Sequence, residues 1–294
     1  MIVRKGDDIM IHEVIDIDLD YGKLGINHSG GKATITTYIK DMFPDYQNKF
    51  YRPFVIICPG GGYNHHSPRE AEAIAIKMLD MGYNAAILRY SLIPNAFPCQ
   101  LYEAAYTVDY IRKHAAQWDV NPGKIVMAGF SAGGHVAACL GTLYNNPIMD
   151  DFVKLMQIRY DDVKPNGLLL GYPVITSGDK AHRLSFDRLL QEKAADEKWL
   201  KLVSVECNVT PDTPPAFIWH TFTDNSVPVE NSLMLATAYK EANVNFELHI
   251  FPSGTHGLGL GTKETDTKDC KHYCPEVSVW TSLFNTWLNN ITFM

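Results

Sequence analysis

From about residue 50 onward, short apolar runs rich in β-branched residues alternate with longer stretches whose apolar positions recur every three or four residues. Short apolar runs bounded by turn residues read as strands, and the longer period reads as helix. Phe54–Cys58 predicts a buried strand ending in Pro59-Gly60-Gly61-Gly62, residues 68–81 a helix, and Ala85–Leu88 the next strand. Residues 99–118 place Leu101, Ala105, Val108, Ile111, Ala115 and Trp118 on one helical face. After Asn121-Pro122-Gly123, Ile125–Met127 reads as strand, and Ala132–Leu143 as helix with Val136, Cys139, Leu140 and Leu143 on one side. Leu168–Leu170, Ala216–Trp219 and Phe246–Phe251 continue the strands; residues 229–242 and 276–289 continue the helices. Such alternation is how a parallel sheet with crossover helices reads, so the class is α/β.

Two segments break the rhythm. Residues 174–215 turn to charged amphipathic pieces, Phe186–Lys193 and Asp196–Val203, and predict a small helical, cap-like insert. Met10–Asp18 and Ala33–Ile39 are strand-like with no helix between them, which predicts an antiparallel edge.

Composition narrows the classes of partner. A chain of 294 residues can bury one sizeable core, as one large domain or two modest ones. With 26 basic against 33 acidic residues and a net charge of −7, no basic patch is expected to hold nucleic acid. No apolar run approaches the roughly 18 residues of a membrane span, and the start, Met1–Asp8, lacks a leader-like apolar stretch. Cytoplasmic residence without membrane contact is the expectation. The six cysteines are sparse and form no secreted framework, so they read as free thiols. The N-x-[ST] matches at Asn27, Asn208 and Asn290 then read as coincidence. Oligomeric state is not legible, since the N-terminal strands could pair within the chain or with a second copy.

The candidate chemistry sits on loops that follow strands. Gly129-Phe130-Ser131-Ala132-Gly133-Gly134 lies between a predicted strand and a predicted helix. Glycines two before and two after the serine permit a strained strand-to-helix turn that frees its Oγ. The string alone is weak, since it occurs by chance in roughly one chain of this length in ten; its place between strand and helix strengthens it. A nucleophilic serine needs a base and a group that orients the base. Asp224 follows the strand Ala216–Trp219, and reads equally as an N-cap of the next helix. His256, in Ser253-Gly254-Thr255-His256-Gly257, follows Phe246–Phe251. His249 lies within that strand, His114 and His135 lie on helices, and His272 has no strand before it. Serine, acid and histidine thus occur in the order that sheet-based hydrolases use. Gly61 and Gly62, with the N–H of Ala132, are the candidate oxyanion donors.

The Gly-Gly-Gly-Tyr string at 60–63, Gly-Phe-Ser-Ala-Gly-Gly at 129–134, Thr-Asp-x-x-Val-Pro at 223–228 and Gly-x-His-Gly at 254–257 resemble the α/β-hydrolase esterases related to hormone-sensitive lipase. The small bacterial acetyl esterases and acetyl-xylan-esterase-like proteins are the nearest likeness, from about residue 50 to the end. The resemblance implies an α/β-hydrolase fold and an acyl-enzyme mechanism. Ser131 would be the nucleophile, His256 the general base and then acid, and Asp224 the orienting group. The implied substrate is a small ester, with no cofactor and no metal. Two departures stand out: Pro59 takes the place of a frequent His before the glycines, and residues 1–40 read as strands where larger relatives have a helical cap. That leaves 174–215 as the expected lid over a site for short acyl groups, within a single catalytic domain spanning 1–294.

Tyr63, Tyr90, Tyr172 and Trp219 stand near predicted strand ends as candidate substrate contacts, against a plain core or rim role. Cys270-Lys271-His272-Tyr273-Cys274 invites a metal reading but lacks a second cluster to complete four ligands. Gly25–Lys32 misses the phosphate-loop spacing and has Ala33 in place of the hydroxyl. Arg69 and Glu70 read as surface or capping groups. Two other readings stay open at this stage, a prolyl-oligopeptidase-like peptidase and a ligand-binding protein that has lost turnover. The peptidase would lack room for its usual extra domain, and the binding protein would be expected to lack a triad member.

Overall fold

The computed structural model describes residues 10–41 and 51–291, so the opening Met1–Asp8 lies outside the described residues. In chain order the main elements are β1 (Val14–Asp16), β2 (Thr34–Tyr38), β3 (Arg52–Cys58), α1 (Glu72–Asp80), β4 (Asn84–Arg89) and α2 (Cys99–His114). Then come β5 (Val120–Phe130), α3 (Ala132–Leu143), α4 (Asp150–Met156), α5 (Tyr160–Val163), β6 (Gly167–Gly171), α6 (Arg183–Leu190) and α7 (Glu197–Val203). The chain continues with β7 (Ala216–Thr221), α8 (Glu230–Glu241), β8 (Phe246–Phe251), α9 (Pro275–Ser278) and α10 (Trp280–Asn290).

These strands form one eight-stranded sheet in the order β1-β2-β4-β3-β5-β6-β7-β8. From β4 to β8 neighbours run parallel, whereas β1 and β2 add the expected antiparallel edge. Side chains alternate across the sheet, so Phe54, Ile56, Ile125 and Met127 face one core, and Val55, Ile57, Val126 and Ala128 the other. The predicted faces of α2 and α3 pack into the first core, while Ile74, Ala75 and Met78 of α1 and Phe284, Trp287 and Leu288 of α10 close the second.

The differences from expectation are local. The stretch predicted as one helix over 68–81 opens with a 3-10 turn, Pro68–Glu70, and breaks at Ala71 (φ −115°, ψ −101°) before α1. The helix predicted over 99–118 stops at His114, and a positive φ at Asp119 turns the chain into β5. The short helices α4 and α5 carry too few turns for a periodic signal. Residues 174–215 are helical as expected and contain no strand. No described helix is long and apolar enough to cross a membrane.

The N-terminal edge is fastened to α2 through Glu103, whose side chain is wholly buried. Its Oε1 accepts from the Tyr21 hydroxyl (2.7 Å), the Ser91 hydroxyl (2.5 Å) and the Cys99 thiol (3.2 Å), and Oε2 accepts from the Ser91 N–H (2.6 Å). Burial raises its pKa, opposed by these donors. His28, Cys99 and Glu103 bring their donor atoms within 4.8 Å of one another, yet both carboxyl oxygens already serve protein donors. Cys270 and Cys274 join no such cluster among the described residues. Replacing Glu103 with Leu leaves a buried hydroxyl and N–H unpaired, so urea unfolding should show a loss of about 2 to 4 kcal/mol. A loss below about 0.5 kcal/mol, the range of ordinary surface substitutions, would show that this network contributes nothing.

Candidate active site

The chain leaves β3 for β4 on one side and returns to β5 on the other, so the loops after β3 and β5 diverge from neighbouring strand ends. A crevice opens at such a switch point. Ser131 stands there with φ 54° and ψ −123°, a conformation costing about 1 to 3 kcal/mol for a residue with a side chain. Three backbone hydrogen bonds hold it. Its N–H donates to Gly171 O (3.1 Å), and its carbonyl accepts from the N–H groups of His135 (3.2 Å) and Val174 (3.1 Å). The flanking glycines have a steric cause: a Cβ on Gly133 would overlap the Cys58 carbonyl, and one on Gly129 would overlap the Gly133 carbonyl.

Ser131, Asp224 and His256 meet in space. His256 Nδ1 lies 2.6 Å from Asp224 Oδ2, and Nε2 lies 2.8 Å from Ser131 Oγ. A carboxylate only accepts, so the ring proton sits on Nδ1, and the Nε2 lone pair faces the serine hydroxyl. The loops carrying acid and histidine are laced together. Thr221 and Thr223 hydroxyls donate to Gly254 O, the Gly254 N–H donates to Thr223 Oγ1, and Phe222 N–H donates to Phe251 O. Asp224 divides its oxygens. Oδ1 accepts from the N–H groups of Ser226 and Val227, closing the turn, and Oδ2 accepts from His256. The cap reading of Asp224 is therefore met by a turn, since α8 begins only at Glu230.

A second histidine lies beneath the acid. His220 is fully buried; its Nε2 donates to Val227 O (3.0 Å), with Asp224 Oδ2 at 3.4 Å, and its Nδ1 accepts from the Ser232 hydroxyl (2.8 Å). For Asp224 burial acts to raise the pKa, but hydrogen bonds from His220 and His256 outweigh it and hold the carboxyl well below the usual range.

The glycine loop lies beside Ser131. Gly61 (φ 124°), Gly62 (φ 59°) and Tyr63 (φ 60°) all have left-handed backbone, and a Cβ on Gly60 would come within 2.8 Å of Ser131 Cβ. Among the described residues, the N–H groups of Gly61, Gly62 and Ala132 donate to no protein acceptor. Pro59 is supported from below, its carbonyl accepting from the Tyr90 hydroxyl (2.7 Å).

The tyrosines do not offer the open faces expected of substrate contacts. Tyr63, Tyr90 and Tyr172 are each 1% exposed, and Trp219 is wholly buried. Their hydroxyls are engaged internally, Tyr63 with His135 Nδ1 (2.7 Å) and Tyr172 with Glu70 Oε1 (2.8 Å). His135 in turn donates Nε2–H to Val203 O of the insert (2.7 Å), and burial lowers its pKa to about 4. Glu70, expected at the surface or in a cap, is 2% exposed. Near Gly62 lie His182, Ser185 and Arg188 of the 174–215 segment, with Arg188 Nη1 donating to Gly62 O (3.0 Å). Burial lowers the His182 pKa, and the nearby His256 and Arg188 lower it further. No spacing signal marks Glu70 or Arg188, because Tyr172 and Gly62, their partners, are remote in sequence, and His220 sits inside an apolar strand where a histidine reads as core.

The depressed Asp224 carboxyl has a measurable consequence. Its folded pKa lies below the unfolded value of about 4, so the stabilisation is complete above about pH 5 and is lost as pH falls through the unfolded value toward the folded one. The difference in unfolding free energy between wild type and Asp224→Asn, followed by urea denaturation, should therefore narrow from pH 6 to pH 3. A difference that stays constant over that range would mean the carboxylate is not held as described.

The BD-FAE family profile matches residues 41–239. The chain is 37% identical to endo-1,4-beta-xylanase B of Butyrivibrio fibrisolvens over 234 residues, which is 77% of this chain and 36% of that protein. It is 30% identical to an acetylxylan esterase of Xylanibacter ruminicola over 213 residues, 71% of this chain and 41% of that protein. The chain thus spans well under half the length of these curated relatives. Among solved structures, an acetyl ester-xyloside bifunctional hydrolase from Caldicellulosiruptor lactoaceticus superposes with a TM-score of 0.79 at 32% identity, covering 96% of this chain and 97% of that one. By these matches the chain belongs to the BD-FAE family and has the α/β-hydrolase fold.

Proposed function

We propose that the protein is a serine carboxylesterase that removes short acyl groups, acetyl foremost, from small esters such as acetylated xylo-oligosaccharides. The observation that carries the reading is the hydrogen-bonded chain from Asp224 through His256 to Ser131 Oγ, at 2.6 and 2.8 Å. In this mechanism His256 Nε2 takes the serine proton as Oγ attacks the ester carbonyl, and returns it to the leaving alcohol. Asp224 holds the Nδ1–H tautomer and stabilises the imidazolium. Water then attacks the acyl-enzyme by the same route in reverse. The free N–H groups of Gly61, Gly62 and Ala132 receive the developing oxyanion, each such donor contributing about 3 to 4 kcal/mol of barrier lowering.

The choice of substrate rests on two supports. The matched proteins named acetylxylan esterase and acetyl ester-xyloside bifunctional hydrolase share this sequence or fold. Residues 174–215, read as a cap inserted into one catalytic domain, set polar side chains of His182 and Arg188 beside Gly62, which suits a small polar ester better than a long acyl chain.

Hydrolysis of acetyl, butyryl and octanoyl aryl esters tests the reading. Wild type should favour acetyl, and Ser131→Ala should fall to background on all three; a wild type no faster than the alanine variant refutes an esterase, and an octanoyl preference refutes the short-acyl claim. Acetate release from acetylated xylo-oligosaccharides examines the alcohol part. Asp224→Asn should lower kcat by on the order of 10³- to 10⁴-fold with KM little changed, because His256 would be held in the wrong tautomer. A kcat near wild type would assign the acid role elsewhere.

A further inference from the structure

We infer that Glu70 is a positioning residue which sets the glycine loop and the histidine loop against each other; as a statement about catalysis, this rests on the esterase reading above. Glu70 is nearly wholly buried, at the end of the 3-10 turn that precedes α1. Its Oε2 accepts from the Gly60 N–H (2.8 Å), in the loop after β3. Its Oε1 accepts from the Tyr172 hydroxyl (2.8 Å), just after β6. The same hydroxyl accepts from the Gly259 N–H (3.0 Å), three residues beyond His256. One carboxyl thereby joins the loops after β3, β6 and β8.

The joint is tight on both sides. A Cβ on Gly60 would lie 2.7 Å from Glu70 Oε2, and a Cβ on Gly259 would lie 2.7 Å from the Arg69 carbonyl oxygen. Arg69 adds a second tie, its Nε donating to Gly257 O (3.1 Å) directly after His256. The Tyr172 ring stands edge-on to the His256 imidazole, with centroids 5.0 Å apart at 70°. Glu70 touches neither Ser131 Oγ nor the imidazole. Its effect is to fix where the Gly61 and Gly62 N–H groups lie relative to His256 Nε2, and small errors in that distance are costly to a transition state that needs both.

Glu70→Gln keeps the shape but turns an amide NH₂ toward one of two donors. It should lower kcat about 10- to 100-fold with KM within threefold, and speed amide hydrogen exchange in both residues 59–67 and residues 252–262. Tyr172→Phe, which deletes only the hydroxyl, should lower kcat about five- to tenfold and speed exchange in 252–262. The double variant should be no slower than Glu70→Gln alone, because the two side chains act along one path. Losses that multiply in the double variant, or faster exchange in 59–67 only, overturn the inference. If Glu70→Gln fails to fold, Tyr172→Phe decides: unchanged kcat and unchanged exchange in 252–262 also overturn it. The exchange arms need no turnover, so faster exchange in both segments with no ester hydrolysed by wild type would refute the esterase reading and leave the coupling standing.

Discussion

The left-handed backbone of Ser131 is the constraint around which the rest of the site is arranged. A residue with a side chain holds φ 54° only where its surroundings over-determine it. Here they do so with three backbone hydrogen bonds and two glycines that let α3 approach β3 and β5 to backbone contact. That approach leaves every residue of α3 buried. It also fixes where the insert begins, since Val174 N–H is bound to the Ser131 carbonyl. The strain and the packing around it are therefore parts of one arrangement.

Three histidines near this arrangement serve different ends because their surroundings differ. His135 is sealed in the core between Tyr63 and Val203, and its lowered pKa keeps it neutral as a passive link. His220 lies wholly buried under Asp224 and steadies the carboxyl from behind. His256 joins Asp224 to the Ser131 hydroxyl, on a loop that leaves its side chain 19% exposed where the other two are sealed. Burial and partner identity, more than residue type, distinguish the three.

Much of this was legible in the sequence. The strands β3 to β7 show as apolar runs, since both faces of a central sheet are buried, whereas the half-buried edge strand β8 alternates, and the order of Ser131, Asp224 and His256 follows from the loops after β5, β7 and β8. The glycines at 129 and 133 announce the turn because only steric exclusion explains them. Other features were hidden for equally physical reasons. Arg69 and Glu70 follow a proline at a helix start, where charged residues usually face water, and only the folded loops supply their partners. The aromatic residues at strand ends read ambiguously: Tyr63, Tyr90 and Tyr172 turn inward because each hydroxyl finds a buried acceptor. Helices as short as α4 and α5 show too few turns for periodicity to reveal them.

The helical segment 174–215 bears on how this fold can diversify. It departs after β6 and rejoins at β7, two hydrogen-bonded neighbours, so its ends are fixed by the sheet whatever lies between. It is tied to the body along its length: Arg188 to Gly62, Leu189 O to the Phe97 N–H, Val203 O to His135 and the Ile175 and Thr176 N–H groups to Asn231 Oδ1, with Phe186, Leu189 and Val203 buried in the first core. The outward residues of α6, Arg183, Leu184 and Asp187, bear on none of these. The segment therefore divides into an inner face that is part of the core and an outer face that is free to drift or be redesigned while the strained turn and its hydrogen bonds stay untouched.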